Sequence, residues 1–320
     1  MKNFSDKVAV VTGGGTGMGR ELCRQLSQDG CHVAMCDVSS ENMAETKSLC
    51  ESEAPPGITI TTHNCDVSVE SEVIRFRTEV EAGHGPVVNL LFNNAGIGGG
   101  GSFLIDERED WEKTFGVCWY GVYYVCRAFV PMLVASEEGH IINTSSVNGF
   151  WASLGPLIPH TAYSAAKFAV KGFSEALIND LRINAPHVGV SVVMPGHIGT
   201  SIAINSGKVL GKKPPLEMGE QEVRELRERM MRTGGPMTEA MMNMSDEQIK
   251  QAMHDRQIQF RDNAPLTAAQ ASTIILDGVR SNSWRILVGE DAHRLDNQVR
   301  ANPEAAYEPD FAGLSIGLED

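Results

Sequence analysis

Val8-Ala9-Val10-Val11-Thr12-Gly13-Gly14-Gly15-Thr16-Gly17-Met18-Gly19-Arg20 is a short apolar run that breaks into glycines and then opens an amphipathic segment. The run predicts a strand, the glycines a sharp turn and Gly17 the start of a helix. Without a Cβ, glycine lets the backbone bend tightly and approach a phosphate, whose charge is met by the N–H groups at the helix start. The position suits a nucleotide, and the bland alternative is a glycine turn with no ligand. A kinase-like phosphate loop is excluded, because Gly14-x-x-x-x-Gly19 is followed by Arg20-Glu21 and not by Lys-Ser/Thr. The Gly-x-Gly-x-x-Gly spacing also fails, since Met18 stands where the last glycine belongs. What remains is Thr12-Gly13-x-x-x-Gly17-x-Gly19.

Beyond this stretch, short apolar runs alternate with longer amphipathic ones. Strands are expected near 7–12, 31–37 and 58–65, with helices from 17, up to about 53 and from 69. Val87–Phe92 reads as a fourth strand, 109–135 as one long helix and His140–Asn143 as the opening of a fifth strand. Val188–Val193 and Trp284–Val288 complete seven. Strands joined by helix-length crossovers imply an α/β fold: a doubly wound, parallel seven-stranded sheet with helices on both faces. Length and composition fit one domain over 1–320. The stretch 201–265 departs from the pattern. It is charged, rich in methionine (Met218, Met230, Met231, Met237, Met241, Met242, Met244, Met253) and broken by Gly234-Gly235-Pro236. Two or three short helices are expected there, their methionines either moulding to a ligand or simply packing the segment onto the body. The tail 302–320 is acidic, with Tyr307 and Phe311 as anchors.

A net charge of -14 repels phosphate backbones and anionic membranes, so nucleic acid is not an expected partner. The first residues lack an apolar secretory core, and no run reaches the ~18 apolar residues of a spanning helix. The seven cysteines lie within the first 126 residues and contain no Cys-x-x-Cys pair. They read as reduced thiols of a cytoplasmic protein, with no metal site.

Asp37 ends the second strand roughly ~20 residues past the glycines, where a carboxylate accepts hydrogen bonds from a ribose diol and repels a 2′-phosphate. NAD is therefore expected over NADP. Asp66 either caps the following helix or contacts adenine. On the helix after the fifth strand, Tyr163 and Lys167 stand four residues apart and share a face. A phenol titrates near ~10, and a neighbouring ammonium is expected to lower that value and make Tyr163 a usable proton donor.

Taken in order, Thr12-Gly13-x-x-x-Gly17-x-Gly19, Asn93-Asn94-Ala95-Gly96, Asn143-Thr144-Ser145-Ser146, Tyr163-x-x-x-Lys167 and Pro195-Gly196-x-x-x-Thr200 resemble the short-chain dehydrogenase/reductase family. The resemblance covers about 1–200 and the last strand. It implies a Rossmann-type fold in which Ser146 holds the substrate oxygen. Tyr163 acts as general acid or base, and Lys167 holds the nicotinamide ribose and favours the phenolate. It further implies cofactor contacts from Thr12, Gly13, Gly15, Thr16, Gly17, Met18, Gly19, Asp37, Val38, Asp66, Val67, Asn93, Ala95, Gly96, Tyr163, Lys167, Pro195, Gly196, Ile198 and Thr200. The helix bearing Tyr163, with Ala165, Ala169, Gly172 and Ala176, is expected to form a homodimer or homotetramer interface.

Two departures matter. Cys118 stands where the family usually has an asparagine that holds a water on the proton path, and a thiol hydrogen-bonds weakly. It is expected to be buried and inert, with a nucleophilic role as the alternative. The interval from Ser146 to Tyr163 is long and aromatic, so Asn148, Phe150, Trp151 and His160 are expected to wall the substrate site with Ser146 and Tyr163; His197 is a further candidate. The expected function is NAD-dependent hydride transfer to or from a bulky hydrophobic secondary alcohol or ketone. The alternatives are a dinucleotide sensor with catalysis impaired at Cys118, or an epimerase or dehalogenase on the same fold.

Overall fold

The computed structural model describes residues 1–155, 158–233, 243–311 and 313. The chain opens with β1 (Val8–Thr12), α1 (Gly17–Gln28), β2 (His32–Asp37), α2 (Ser40–Glu53), β3 (Ile60–Asn64) and α3 (Glu70–His84). After β4 (Leu90–Asn93) come α4 (Arg108–Phe115), a π-helical turn at Gly116–Tyr120 and α5 (Gly121–Val134). Then follow β5 (Gly139–Thr144), α6 (Thr161–Asn184), β6 (Val188–Pro195), β7 (Ile198–Gly199), α7 (Ile202–Val209), α8 (Glu220–Thr233) and α9 (Asp246–Asp262). The chain closes with β8 (Leu266–Thr267), α10 (Ala268–Arg280), β9 (Arg285–Val288) and α11 (Glu290–Ala301).

Among the described residues seven strands form one sheet in the order β3-β2-β1-β4-β5-β6-β9, and every pairing is parallel. Alternate residues of each strand enter opposite cores. Val10, Ala34, Leu91 and Ile141 meet Phe76, Val125, Phe129 and Val170 from α3, α5 and α6. Ala9, Val11, Val33, Met35, Leu90 and Phe92 meet Leu22, Leu26, Met43 and Ile275 from α1, α2 and α10. Chain direction along the sheet reverses between β1 and β4, so the loops leaving their carboxyl ends part and leave a crevice.

The seven-stranded sheet matches the sequence expectation, with local differences. β4 begins at Leu90 and not at Val87, because the Asn89 side chain takes the Val8 amide and donates to Glu138 O (3.0 and 3.1 Å), ahead of the ladder. The expected single helix over 109–135 contains the π turn, which widens the spiral and turns Cys118 inward. β7 and β8 form a two-residue parallel ladder too short for any periodic signal. In the flap, α8 and α9 are longer than the short helices expected. Met218, Met230, Met244 and Met253 pack on Val223 and Ile249 within the flap itself. Met237, Met241, Met242 and the Gly234-Gly235-Pro236 break lie outside the described residues.

The helix Arg108–Val134 corrects one further expectation. Its most apolar window averages a hydropathy of 1.4, long and apolar enough to cross a membrane by length and composition, and half of it is buried. That burial is against β4, β5 and α6, as in a core crossover helix.

Inside the sheet, His140 Nε2 lies 2.8 Å from Ser191 Oγ. Burial holds this imidazole below its ordinary 6.5, at about 4. His84 is held down likewise, by burial and then by His32 and His63. The unfolded chain takes up the proton near 6.5 and the fold resists it until about 4, so stability is complete above that window and is lost as pH falls through it. His140 is expected to contribute about 3 kcal/mol of that loss. Urea unfolding between pH 7 and pH 4 measures it, and His140→Gln flattens the slope; an unchanged slope assigns the acid sensitivity elsewhere.

Candidate active site

The glycine turn is tied to β4 through one hydroxyl. Thr12 Oγ1 accepts the amides of Asn94 and Ala95, both at 3.0 Å, and donates to Phe92 O at 3.3 Å. Asn94 Nδ2 returns to Thr12 O at 3.1 Å. Gly13 has φ +68, and a Cβ there would stand 2.9 Å from Ala95 Cα; a Cβ on Gly19 would stand 2.0 Å from Gly13 O. Side chains are therefore excluded by backbone on both sides of the turn. Thr16, the N-cap of α1, makes no side-chain capping bond, and the first turn of α1 has no acidic residue. Uncapped helix amides above a cradle without Cβ atoms are what an external phosphate requires, so these residues fit a dinucleotide.

Asp37 reaches this turn from β2: its carboxylate accepts Gly15 N–H and Ser39 N–H, each at 3.0 Å. Arg20 lies closer than its place in the sequence suggested, but its guanidinium is bound to Gly15 O, Thr46 Oγ1 and Glu45. Val38, beside Asp37, is half exposed. From the other side, Asn205 Nδ2 of α7 donates to Thr16 Oγ1 at 3.2 Å, and Thr200 Cγ2 lies 3.2 Å from the Cβ position of Gly17. Pro195 ends β6, Gly196 N–H donates to Val288 O at 3.0 Å, and Ile198 is buried in β7. Met18 is partly buried against the α10 face of the core.

Some expected cofactor contacts are spent elsewhere. Asn93 is buried, donating to Asn143 Oδ1 (2.7 Å) and Cys126 Sγ (3.2 Å), because its β4 register points it beneath the sheet toward α5. Asp66 receives Lys113 Nζ at 2.6 Å and the Ser68 hydroxyl at 2.6 Å. Burial alone would raise Asp66, but these partners hold it below the usual carboxylate range. It turns the chain into α3, whose N-cap is Val69, and so is not the cap itself. Val67 packs beneath Gly121.

Tyr163 and Lys167 lie on the first turns of α6. The N–H groups of Thr161 and Ala162 at its start donate to Gly101 O and Gly100 O, both at 2.9 Å. Ser146 Oγ accepts Asn148 N–H at 3.1 Å, and its hydroxyl favours ionisation of Tyr163. Ser145 instead donates to Lys167 O at 2.7 Å, which separates the two serines by what each can still bind. Lys167 Nζ, buried, donates to Thr144 O at 2.8 Å and sits 5.3 Å from the Tyr163 ring centroid. The Cβ position of Gly96 is 3.5 Å from Lys167 Nζ and 3.7 Å from Cys118 Sγ, so these three residues meet at one point. Cys118 is buried and its thiol donates to Ile97 O at 3.2 Å.

The electrostatics reverse the sequence expectation for the phenol. Loss of solvent is the largest influence on Tyr163 and pushes its pKa up; Cys118 adds to this and the Ser146 hydroxyl opposes it. Burial likewise holds Lys167 below the usual lysine range. Desolvation thus outweighs the expected help from the ammonium.

Of the residues expected to wall the substrate site, His160 lies beside Tyr163, ring centroids 4.8 Å apart, and burial lowers it to about 4. The others face elsewhere. Asn148 Nδ2 donates to Trp151 O (3.1 Å) and Ser153 O (2.6 Å), bracing its own loop. Phe150 lies under the Arg285 guanidinium, and Trp151 is enclosed by Ala292, Leu295 and Ala306. His197 joins Phe260 O at 2.7 Å and Asp291, pinning α9. Pro156 and Leu157 lie outside the described residues. The sequence reading missed Asn94, Asn205 and the run Gly98-Gly99-Gly100-Gly101, whose four glycines were a visible signal. Gly98 N–H donates to Ser206 Oγ of α7 at 2.8 Å, and a Cβ on Gly100 would stand 2.5 Å from Ala162 Cβ.

Residues 7–209 match the family model described as short chain dehydrogenase. SadH of Mycobacterium tuberculosis, an oxidoreductase by assignment, is 37% identical over 206 residues, covering 64% of this chain and 72% of the relative. A short chain dehydrogenase/reductase from Burkholderia phymatum, solved in complex with NAD, superposes with a TM-score of 0.74 at 26% identity, over 97% of this chain and 98% of that one. A metagenomic short-chain oxidoreductase solved with NADP gives a TM-score of 0.54 at 32% identity, over 60% and 83% of the two chains.

Gly19→Ala forces a methyl against Gly13 O and is expected to cost about 1–3 kcal/mol of stability. Thermal unfolding measures it; an unchanged midpoint means the turn relaxes freely.

Proposed function

The chain belongs to the short-chain dehydrogenases and is an oxidoreductase, and from that premise we propose that it moves a hydride between NAD and a bulky hydrophobic secondary alcohol or ketone. The observation that carries the reading is the convergence of Ser146, whose hydroxyl eases the ionisation of Tyr163, and the Lys167 ammonium, 5.3 Å from the same ring. When bound, the nicotinamide supplies or accepts the hydride. The rest falls to the chain's own residues. Ser146, its oxygen already occupied by Asn148 N–H, keeps its proton to donate to the substrate oxygen. Tyr163, protonated at neutrality, gives its proton to that oxygen in reduction and recovers it in oxidation. Lys167 lends positive charge to the phenolate formed and is positioned to hold ribose hydroxyls.

NAD is favoured over NADP because the Asp37 carboxylate meets the turn while the nearby Arg20 is already paired with Glu45. An apolar substrate is supported by Phe103 and Leu104, 73% and 91% exposed, on the loop whose glycines pack against the start of α6. Seven free, buried cysteines suit a reducing compartment such as the cytoplasm. Self-association, as a homodimer or homotetramer, is supported by exposed Phe168 on α6, where Ala165, Gly172 and Ala176 are also exposed and permit close approach.

A panel of secondary alcohols and ketones with NAD and NADP, read by nicotinamide absorbance, is expected to give turnover with NAD; NADH binding without hydride transfer to any of them defeats the reading. Tyr163→Phe is expected to lower turnover by roughly 100-fold or more, with NADH affinity retained. Since the phenol is pushed up, oxidation should accelerate as pH rises through the alkaline range while reduction, whose phenol keeps its proton there, stays nearly level. Phe168→Glu is expected to halve the mass found by light scattering, and an unchanged mass would leave this face without a partner.

A further inference from the structure

The loop after β5 is held from outside by the end of the chain. The Trp151 indole N–H donates to Ala306 O at 2.7 Å, and the side chain is 1% exposed. The Phe311 ring packs on it with centroids 5.7 Å apart, and Gly313 comes so close that a Cβ would stand 2.2 Å from indole Cη2. One residue on, Ala152 N–H donates to Tyr307 Oη at 3.0 Å. Ala306, Tyr307, Phe311 and Gly313 thus touch the loop, three of them at its buried indole and Tyr307 through its phenol.

The same loop leads back to the candidate catalytic hydroxyl in two short steps. Trp151 O and Ser153 O accept the Asn148 amide at 3.1 and 2.6 Å, and Asn148 N–H donates to Ser146 Oγ at 3.1 Å. That last bond fixes which way the Ser146 proton is free to point, because a hydroxyl that accepts a rigid N–H has lost one rotor direction. The sequence expectation had Trp151 and Phe150 facing substrate; their real partners lie in α11 and the C-terminal segment.

We propose that the C-terminal segment 305–311 is a strap that positions Ser146, with Trp151 and Tyr307 as its fastenings and Asn148 as the link to the hydroxyl. Trp151, Tyr307 and Asn148 are positioning residues that act through Ser146. The inference deepens the proposed function, on which the role of Ser146 rests. An enclosed indole N–H must keep a partner, so the strap holds tightly, and a small displacement of the loop is transmitted to the angle of one donor. A shallow, open depression of about 400 Å³ lined by Gln298, Ala301, Ala305, Asp310 and Phe311 lies beside the strap.

The test uses the full chain. Tyr307→Phe combined with Phe311→Ala loosens the strap from its more accessible side, and Trp151→Phe keeps a ring while removing the N–H. Hydrogen exchange is expected to show the Asn148 amide opening about tenfold faster in both variants, with amides of the glycine turn and α6 unchanged. Turnover number is expected to fall about tenfold, with KM and NADH affinity within about twofold. Placed in a Ser146→Ala background, the same changes should cost nothing further, since the group being positioned is gone. Unchanged exchange at Asn148 overturns the proposal, as does an equal loss of turnover with and without the Ser146 hydroxyl, which marks a general structural effect. A wild-type protein that binds NADH and transfers no hydride defeats the functional reading instead, and the exchange measurement still decides the strap.

Discussion

A lysine ammonium buried at the start of α6 is the constraint that the surrounding structure answers to. Lys167 is 2% exposed and gives its Nζ to Thr144 O at the end of β5. Taking such a charge from water is costly unless polar groups receive it, so the backbone around it is arranged to supply them. Ser145 is bound to the Lys167 carbonyl, Gly149 comes so close that a Cβ would stand 2.8 Å from that carbonyl oxygen, and the Gly96 backbone passes the ammonium. Ser146 and Tyr163 stand at the edge of this arrangement. Desolvation that lowers the lysine and raises the tyrosine is one effect seen on two groups of opposite charge type.

The remaining elements meet the same point from different directions. The crevice between β1 and β4 exists because the strand order turns there, and Thr12 holds its two lips in register by taking two amides of the β4 loop. The π turn between α4 and α5 brings Cys118 under Gly96. The glycine run 98–101 then crosses to α6, where two of its carbonyls receive the first amides of the helix, and to Ser206 on α7. At Gly13, Gly99 and Gly100 a Cβ would stand under 3.0 Å from a neighbour, so at those crossings the chain passes with no room for a side chain.

Where the sequence misled, burial was the reason. Tyr163 and Lys167 sit one turn apart as their spacing implied, yet the phenol is shifted opposite to the expected direction, because spacing says nothing about how much water remains. Phe150 and Trp151 read as pocket walls for lack of any sign that residues 305–311, some 150 positions away, would cover them. The sequence reading took Asn93 for a cofactor contact and passed over its neighbour Asn94. Strand alternation sends one into the core and the other onto the glycine turn.

Sequence alone determined the parallel α/β sheet, the glycine turn after β1 and the pairing of Tyr163 with Lys167, because these follow from local periodicity and from residue types at fixed short spacings; the place of Ser146 beside them was implied by the family resemblance. Tertiary structure decided the protonation balance of that group, the diversion of Asp66 to Lys113, and the fastening of the Ser146 loop by the chain terminus. Those depend on contacts between residues far apart in the chain and on the exclusion of solvent, neither of which is written into a local pattern.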